Sequence, residues 1–323
     1  MSPALSLANS LANGLRKLVG ASDSPRAYRL VNVQLQQRID LSPSLVRLVF
    51  GGEDLAHVRT LAPDQRIKLL FPGADGSPSA LPNEGDWQAA RRQLPPRQQP
   101  PMRTYTIRAL RVEPLELEVE FVLHGINGPA SSWATQAQIG DSLQMVVPNK
   151  AFSGDPGGYE WRPPAGIRKI LLMGDETALP AIAGILEELQ ELPEPPQVQV
   201  FIEVPKEADC ITLRCHPGTQ LNWLPREVLG AQHGEALLLA ARELAELPAT
   251  PPKDLVATFR ERSTIDSQRP WESANPADNR FYAWVAGESA TVLSIRKHLV
   301  NERGLERRNL TLMGYWRLGS ALD

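Results

Sequence analysis

Four consecutive residues, Arg103-Thr104-Tyr105-Thr106, combine a cation, an aromatic ring and two hydroxyl groups. If they form a β-strand, Arg103 and Tyr105 share one face and the threonines share the other, because side chains alternate along a strand. Tyr105 could then stack on a flat heterocycle, Thr106 could hydrogen-bond an edge nitrogen of that ring, and Arg103 could bind a phosphate. Taken alone, the segment is equally compatible with a strand that carries ordinary polar surface residues.

A second segment, from His124 to Trp133, reads His-Gly-Ile-Asn-Gly-Pro-Ala-Ser-Ser-Trp and follows an alternating run that ends at Leu123. Its glycine–proline step predicts a helix over 129–137, since proline suits the first helical turn. Free backbone N–H groups at a helix start, together with the helix dipole, bind pyrophosphate well. Simple helix capping, with Trp133 in the core, is the alternative for this segment alone.

Three further motifs each follow a short apolar run in the second half of the chain, at 174–180, 284–290 and 314–319. Open α/β sheets bind nucleotides at the carboxyl ends of their parallel strands. The first motif lacks the full G-x-G-x-x-G pattern of such sites. Thr177 and nearby N–H groups could contact a phosphate, whereas Asp175 and Glu176 would repel it and would more readily cap the helix or bond a ribose.

The elements that must position these motifs change in character near residue 150. Between 28 and 147 the alternation predicts six strands with turn signals between them, which is typical of a small antiparallel barrel. Beyond a stretch rich in proline and glycine, apolar strands alternate with helices and predict a doubly wound parallel sheet. The predicted parts are an N-terminal extension (1–24), a barrel domain (25–155) and an α/β domain (165–323) with a polar insertion (248–279).

The same patterns give approximate boundaries for the elements. The barrel strands are predicted near 31–35, 44–50, 65–71, 103–108, 115–123 and 142–147. In the second sheet, strands are predicted near 169–173, 198–202, 211–215, 282–286 and 310–316, and helices end near 190, 247 and 303. The segment 72–101 contains seven of the 29 prolines and is predicted to be a long loop without a regular element.

Composition excludes several classes of protein. A net charge of −3 gives little support for nucleic-acid binding. The only two cysteines, Cys210 and Cys215, exclude a disulfide framework and a four-cysteine iron–sulfur site within this chain, and their alternating surroundings indicate a strand and not a metal site. No stretch approaches the roughly 20 apolar residues of a membrane span. The basic pair Arg16-Lys17 follows the apolar residues instead of preceding them, unlike a signal peptide, so we expect a cytoplasmic protein.

Together and in this order, the motifs resemble those of the siderophore-interacting proteins, which are flavin-dependent ferric-siderophore reductases similar in plan to ferredoxin–NADP reductases. The resemblance covers most of residues 28–320, and its most specific parts are Arg-Thr-Tyr-Thr, His-Gly-x-x-Gly-Pro-Ala-x-x-Trp and Gly-Tyr-Trp-Arg-x-Gly. It implies FAD on the barrel, NAD(P)H on the α/β domain, and reduction of a ferric siderophore with release of Fe(II). Hydride would pass to the flavin and single electrons to the ferric centre, so no residue need act as a nucleophile or general base.

The resemblance also implies roles for individual residues. The FAD site would include Arg103, Thr104, Tyr105, Thr106, His124, Gly125, Gly128, Ala130, Ser131 and Trp133. The nicotinamide nucleotide site would include Asp175, Glu176, Thr177, Ala178, Gly287 and Glu288. Many ferric siderophores are anionic and would be attracted by a basic mouth beside the flavin. The candidates for that mouth are Lys68, Lys150 and Arg317.

Alternatives stay open on the electron donor and on turnover. Ferredoxin could replace nicotinamide as the donor, and a siderophore-binding protein without turnover is a further alternative, although it would not need the flavin motifs. After the second parallel strand, Glu203 favours NADH and Lys206 favours NADPH, and the resemblance shifts the expectation towards NADPH. The 72–101 loop and the 248–279 insertion look longer than the family plan requires, and could reshape the siderophore site and alter nucleotide use. We expect a monomer.

Overall fold

The computed structural model describes residues 25–126, 128–248 and 270–319. The predicted N-terminal extension and most of the predicted insertion lie outside the described residues. The described chain forms two β-sheets that follow one another in sequence, and each sheet has its own hydrophobic core.

The first sheet is antiparallel and has seven strands in the order β4-β3-β7-β1-β2-β6-β5. Its strands are β1 Tyr28–Ser42, β2 Leu45–Gly51, β3 Arg66–Leu70, β4 Met102–Thr106, β5 Ala109–Val112, β6 Leu115–Val122 and β7 Ser142–Pro148. The prediction of an antiparallel barrel-type domain is confirmed, but the predicted number of six strands is wrong. The additional strand, β5, has only four residues and is too short to give a periodic signal.

The sheet curls so that its two ends approach each other. Beyond β4, the Ile107 N–H donates to the carbonyl of Gln65 and the Arg108 N–H donates to the carbonyl of Glu118 on β6. Inside the curl, alternate residues of β6 are fully buried, among them Leu117 and Phe121. Burial of each such side chain contributes about 1.5–3 kcal/mol, so the closed face is the main source of stability for this domain.

The proline-rich segment 72–101 contains a regular element, so the prediction of a loop without one is wrong. Helix α1, Trp87–Gln93, begins where the Asp86 carboxylate accepts the Ala89 N–H at 3.0 Å, an N-capping contact. Trp87 packs with Leu30 and Leu70 on the outer face of the sheet. Prolines on both sides obscured a helix of seven residues in the sequence pattern.

The second sheet has six strands in the order β10-β9-β8-β12-β13-β11. Five strands are parallel, and the edge strand β11 is antiparallel. Its strands are β8 Lys169–Asp175, β9 Gln197–Val204, β10 Thr219–Pro225, β11 Trp271–Glu272, β12 Tyr282–Glu288 and β13 Leu310–Trp316. The helices of the described chain are α1, α2 Pro129–Gln136 from the first domain, α3 Leu179–Gln190, α4 Arg226–Leu229, α5 Glu235–Glu243 and α6 Ser289–Arg296.

Helices cover both faces of this sheet, which confirms the predicted doubly wound plan. Alternate residues of β8 enter opposite cores: Leu172 packs with Ile182 of α3, whereas Leu171 packs with Leu237 of α5 and Val292 of α6. Because both faces are covered, the strands read as continuous apolar runs.

Two predictions in this domain are wrong, the strand at 211–215 and the end of the helix near 247, and the helix predicted to end near 303 changes type along its length. The third parallel strand is β10 and not 211–215, which forms no regular element. The predicted helix ending near 247 stops at Glu243, and the one ending near 303 leaves α-geometry at Arg296 and continues as π-helix over Lys297–Glu302. Before 211–215, the Asp209 carboxylate accepts from the Ser42 hydroxyl (2.7 Å) and the Ser44 N–H (2.9 Å) of the first domain, and the chain turns there.

The connection between the domains is held by the buried carboxylate of Asp64. Its Oδ2 accepts the N–H groups of Glu160 and Trp161, each at 2.9 Å, and the indole N–H of Trp284 at 3.4 Å. Burial raises the pKa of Asp64 despite the hydrogen bonds. Arg108 adds a two-pronged ion pair with Glu187 of α3, at 2.9 and 2.6 Å.

Candidate functional site

The aromatic ring of Tyr105 lies in a row of rings inside the first domain. Its centroid is 4.3 Å from that of Phe121 on β6, and Phe121 lies 6.4 Å from Trp133 of α2. Across the β3–β4 pair, Tyr105 faces Ile67, whereas Thr106 faces Arg66. Burial raises the pKa of the Tyr105 phenol, which stays neutral. The strand thus places the tyrosine close to the helix motif, as stacking on a ring bound there would require.

The second predicted segment forms a turn followed by the start of α2. Gly125 has φ +87°, a left-handed conformation that favours glycine. The Ser131 hydroxyl donates to the Gly125 carbonyl and accepts the His124 N–H at 3.3 Å. That hydroxyl therefore shapes the turn, so a phosphate at this place would be bound by backbone N–H groups and not by the serine side chain.

The start of α2 is open to a ligand. Pro129 occupies the first helical turn, and the N–H groups of Ala130 and Ser131 belong to the turn whose donors lack helical acceptors. A Cβ built on Gly128 would meet no atom within 4 Å. Free donors, the helix dipole and this space fit a pyrophosphate. With Tyr105 nearby for a flat ring, the residues present fit FAD.

The remaining residues of the first motif lie on the same strand. Arg103 is half-buried and donates to the Met102 carbonyl at 2.6 Å, and Thr104 is exposed opposite Lys68. Thr106 is buried, with 6% of its surface exposed, at the end of β4 that adjoins the second domain. The structure therefore brings Tyr105, Thr106 and the α2 turn to one region of the barrel.

In the second domain, the carboxylate of Asp175, at the end of β8, forms hydrogen bonds with the ends of β12 and β13. Oδ1 accepts the Thr177 N–H at 2.9 Å. Oδ2 accepts the Glu288 N–H at the end of β12 and the Trp316 indole N–H at the end of β13, both at 2.9 Å. Burial acts to raise the pKa of Asp175, but hydrogen bonds and the nearby His233 outweigh it and hold the pKa below its usual range. We call Asp175 and its partners Thr177, Glu288, Trp316 and His233 the Asp175 cluster.

Two glycines make this close approach possible. A Cβ on Gly287, whose φ is +148°, would lie 2.6 Å from Asp175 Oδ2. A Cβ on Gly174 would lie 2.6 Å from the Ala178 side chain. Gly287 is therefore required by the close approach of the Asp175 carboxylate, and Gly174 by the packing of β8 against the start of α3.

Glu176 and Glu203 are occupied by internal contacts. The guanidinium of Arg226, on α4, forms two hydrogen bonds with Glu176, at 2.9 and 2.8 Å, and one with Glu203 at 3.2 Å. Glu203 is fully buried and also accepts the N–H groups of Gly234 (2.7 Å) and Leu237 (3.1 Å) at the start of α5. Because Glu203 caps a helix, it does not face a ribose, and the preference for NADH that its position in the sequence suggested has no support here.

The two motif-bearing regions meet at Arg66. This residue faces Thr106 across the β3–β4 pair, and its guanidinium lies 3.5 Å from the Met313 sulfur on β13. Tyr315, two residues further along β13, has a buried hydroxyl. The end of β13, which carries the motif at 314–319, is thus adjacent to the end of β4, which carries the Arg-Thr-Tyr-Thr motif.

Family models match both domains in the order of the chain. A siderophore-interacting FAD-binding domain matches residues 34–152, and a siderophore-interacting protein domain matches residues 167–319. The chain belongs to the siderophore-interacting protein family. The resemblance drawn from the motifs is therefore confirmed, and so is the prediction of FAD as the cofactor of the first domain.

Individual relatives agree with this membership. This siderophore-interacting protein is 28% identical over 282 residues to a ferric vibriobactin reductase of Vibrio cholerae, with 86% of each chain covered. It is 31% identical over 210 residues to the NADPH-dependent ferric-chelate reductase of Escherichia coli, with 62% of this chain and 72% of the relative covered. The crystal structure of a siderophore utilization protein from T. fusca superposes with a TM-score of 0.69 and 29% identity, covering 92% and 96% of the two chains.

The basic residues predicted for the siderophore are placed as follows. Lys68 is half-buried on β3 and pairs with Val146 of β7, and Lys150 is exposed just after β7. Arg317 is exposed just after β13. Lys68 thus lies on the same strand as Arg66, Arg317 directly follows the strand of Met313, and Lys150 lies beyond the end of β7.

Sequence reasoning missed several residues of this region. Arg66, Arg226 and His233 fall outside every motif, and no periodic or compositional signal marks them. Trp316 stands inside the last motif, but its bond to Asp175 depends on the register between β12 and β13. Two cavities of about 300 and 440 Å³ lie between the domains around Arg108, and none of the predicted site residues lines either of them. Within the described ranges, no helix has the length and apolar composition needed to cross a membrane.

Proposed function

We propose that this siderophore-interacting protein reduces ferric siderophores in the cytoplasm, with electrons that pass from a nicotinamide nucleotide through FAD, and that it releases Fe(II). The observation that carries this proposal is the junction at Arg66, where the end of the flavin motif adjoins the end of β13. Transfer from one bound cofactor to another requires such proximity. The FAD-binding family model on the first domain supplies the chemical identity of one of them.

The work of the chain is to hold and orient. Tyr105, backed by Phe121, would hold the flat ring, and the first N–H groups of α2 would bind the pyrophosphate. Thr106 would lie at the ring edge. Bound FAD would accept a hydride and pass electrons singly to the ferric ion. The side chains need not donate or accept a proton for this, in accordance with the neutral phenol of Tyr105.

The nucleotide is proposed to bind along the carboxyl ends of the parallel strands, over the Asp175 cluster. The side chains of Asp175, Glu176 and Thr177 are engaged with the protein, so their contribution would be to shape this edge. Contacts to the nucleotide would come from backbone groups at this edge, with Gly287 among the candidates. Ala178 would contribute only to its shape, because its N–H donates to the Asp175 carbonyl and its carbonyl accepts the Ile182 N–H, both at 3.0 Å. We favour NADPH as the donor because the Escherichia coli relative is named for its use of NADPH.

The siderophore is proposed to bind at a basic mouth formed by Lys68 and Arg317, with Lys150 as a more distant contributor. The Vibrio cholerae relative is named for vibriobactin, which supports a siderophore as the substrate without specifying which one this chain reduces. One chain contains both the domain with the flavin motifs and the domain proposed to bind the nucleotide. We therefore propose that the working unit is a monomer.

An anaerobic two-stage assay tests this function. The FAD-loaded protein is mixed with NADPH or NADH while the flavin absorbance is followed, and a ferric siderophore with an Fe(II) chelator is then added. We expect bleaching by the nucleotide and capture of Fe(II) with recovery of the absorbance. Bleaching only by reduced ferredoxin would contradict the proposed donor, and reduced flavin that leaves the ferric siderophore intact would contradict the proposed acceptor.

A pair of tyrosine variants tests the flavin site itself. Tyr105→Leu is expected to lower FAD affinity about tenfold, because the stacking partner is lost. Tyr159→Leu is the matched control, since Tyr159 lies in the linker between the two domains (149–168) and packs against Arg162. Equal FAD dissociation constants for the two variants, measured by quenching of FAD fluorescence, would remove Tyr105 from the site.

A further inference from the structure

The Asp175 cluster and its neighbours contain more negative than positive charge. Asp175, Glu176, Glu203 and Glu288 contribute four carboxylates; the side chains of the first three are 1, 13 and 0% exposed, and Glu288 is 6% exposed. Arg226 is the permanent cation that contacts two of them. The only titratable cation within 4 Å of these carboxylates in the described chain is His233. The charge on this one imidazole therefore decides whether these groups together carry three excess negative charges or two.

His233 is placed where its proton would act on several elements at once. Its Nε2 lies 3.5 Å from Asp175 Oδ2 and 4.0 Å from Glu176 Oε2. Its ring packs edge-on against Trp316, with centroids 4.9 Å apart and an interplanar angle of 80°. The other charged groups at this edge are Glu203 of β9, Arg226 of α4 and Glu288 of β12, whose carboxylate accepts the Thr291 N–H at 2.9 Å. The imidazole thus contacts both the carboxylate and the indole that the carboxylate holds.

Burial acts to lower the pKa of His233, but the carboxylates of Asp175, Glu176 and Glu203 outweigh it and raise the pKa above its ordinary value. The histidine is consequently charged over a wider range of pH than a free one. About a fifth of its side chain is exposed, so the ring is not sealed from a ligand at the strand ends.

We propose that His233 is a positioning residue of the nicotinamide nucleotide site, and that its protonated form is the one that favours nucleotide binding. This inference depends on the proposed function. A nicotinamide nucleotide brings a pyrophosphate, whose negative charge is repelled by the carboxylates below it. The proton on His233 offsets one of them and also keeps Asp175 and Trp316 in the arrangement described. Loss of that proton weakens binding without any change in the residues that would touch the nucleotide.

Calorimetric titration with NADP⁺ between pH 6 and 9 tests the inference, because the oxidised nucleotide binds FAD-loaded protein without turnover. For the wild type we expect the dissociation constant to rise about fivefold across this range, as one nearby charge is lost. For His233→Gln we expect a dissociation constant that is flat over the range and close to the alkaline wild-type value. His57→Gln, a histidine change at an exposed position of the first domain, should keep the wild-type profile.

A second measurement needs no nucleotide. The tryptophan emission of the wild type minus that of Trp316→Phe should show one titration step that disappears when His233→Gln is made in both backgrounds. A wild-type dissociation constant that does not change with pH would overturn the inference, and so would an unchanged pH profile in His233→Gln. Failure of NADP⁺ to bind at every pH would instead overturn the proposed donor together with this inference, so the two failures are distinguishable.

Discussion

The guanidinium of Arg66 lies 4.4 Å from the centre of the Trp271 ring, so a residue of the first domain is covered by the short edge strand of the second. Glu160 of the linker completes the contact, since its carboxylate accepts from Arg66 (3.3 Å), from the Trp271 indole (3.2 Å) and from the Ser273 hydroxyl. Trp271 lies within the predicted insertion (248–279) and pairs with Met313 of β13. A residue of the predicted insertion is therefore part of the contact between the domains.

Trp271→Leu should destabilise this contact. The substitution removes the cation–π interaction and the indole hydrogen bond to a charged group, for an expected loss of about 2 kcal/mol in the free energy of unfolding. Trp271→Phe keeps an aromatic ring over Arg66 and should lose about half as much. Urea unfolding monitored by circular dichroism measures both, and equal losses would show that the ring itself contributes nothing.

Lys68→Ala should raise the KM for an anionic ferric siderophore about fivefold, with little change for a neutral electron acceptor. The physical reason is the loss of electrostatic attraction at the proposed mouth, which an uncharged acceptor does not use. The same variant assayed at high salt should approach the wild type. Parallel KM values for the two acceptors would instead place Lys68 outside the mouth.

Gly287→Ala should lower the free energy of unfolding more than Gly140→Ala does, although both glycines have a positive φ. The new Cβ would suffer both the unfavourable φ of +148° and a clash with Asp175 Oδ2. Gly140 has φ +101° and open space around its Cβ position, so Gly140→Ala isolates the backbone cost, about 1–3 kcal/mol. The additional loss of unfolding free energy in Gly287→Ala relative to Gly140→Ala, measured by denaturant unfolding, is the cost of the clash. Equal losses would mean that the strand ends move apart without cost.

Glu203→Gln should cost about 3 kcal/mol of stability. The carboxylate is fully buried, caps α5 and neutralises part of Arg226, so its loss leaves a partly uncompensated buried charge. Glu207→Gln is the matched control at an exposed position of the same connection, with an expected change within about 0.5 kcal/mol. Similar midpoints for the two variants in chemical denaturation would contradict the capping role.

Protonation of His233 should also affect stability, in a direction fixed by linkage. Its folded-state pKa is raised, so the stabilisation is fully present below the unfolded pKa near 6.5 and is lost as the pH rises through the higher folded value. The difference in unfolding free energy between the wild type and His233→Gln should therefore shrink from pH 6 to pH 9. A difference that grows with pH would show that the carboxylates do not stabilise the imidazolium.

The sequence predicted the parts of this molecule that depend on local patterns. Strands such as β6 alternate strictly, and the Gly-Pro-Ala-Ser start of α2 has its own turn chemistry, so both could be located before the structure was known. Helix α1 could not, because seven residues between prolines give too short a pattern. The cysteine run at 211–215 alternates like a strand, but the Asp209 turn fixed by Ser42 and Ser44 directs the pairing to β10 instead.

The candidate site divides in the same way. Tyr105 and the start of α2 each lie in a short continuous motif, so both could be proposed from the sequence. Asp175, Trp316 and His233 lie more than 50 residues apart along the chain and meet only through the order of the parallel strands. The sequence could show that Asp175 lies at the end of a strand, but not that its carboxylate accepts hydrogen bonds from the ends of two other strands. In the same way, the sequence could suggest that Glu203 favours NADH, but not that its carboxylate caps α5.

The contacts between the two domains are spread along the second sheet. Asp209 beyond β9 binds Ser42, Glu187 on α3 binds Arg108, Trp284 on β12 binds Asp64, and Met313 on β13 touches Arg66. Because these contacts are distributed over the whole interface, a hinge opening of the two domains would break several charged and buried hydrogen bonds at once. We therefore expect the two domains to move as one body, so that ligand binding does not require a hinge opening between them.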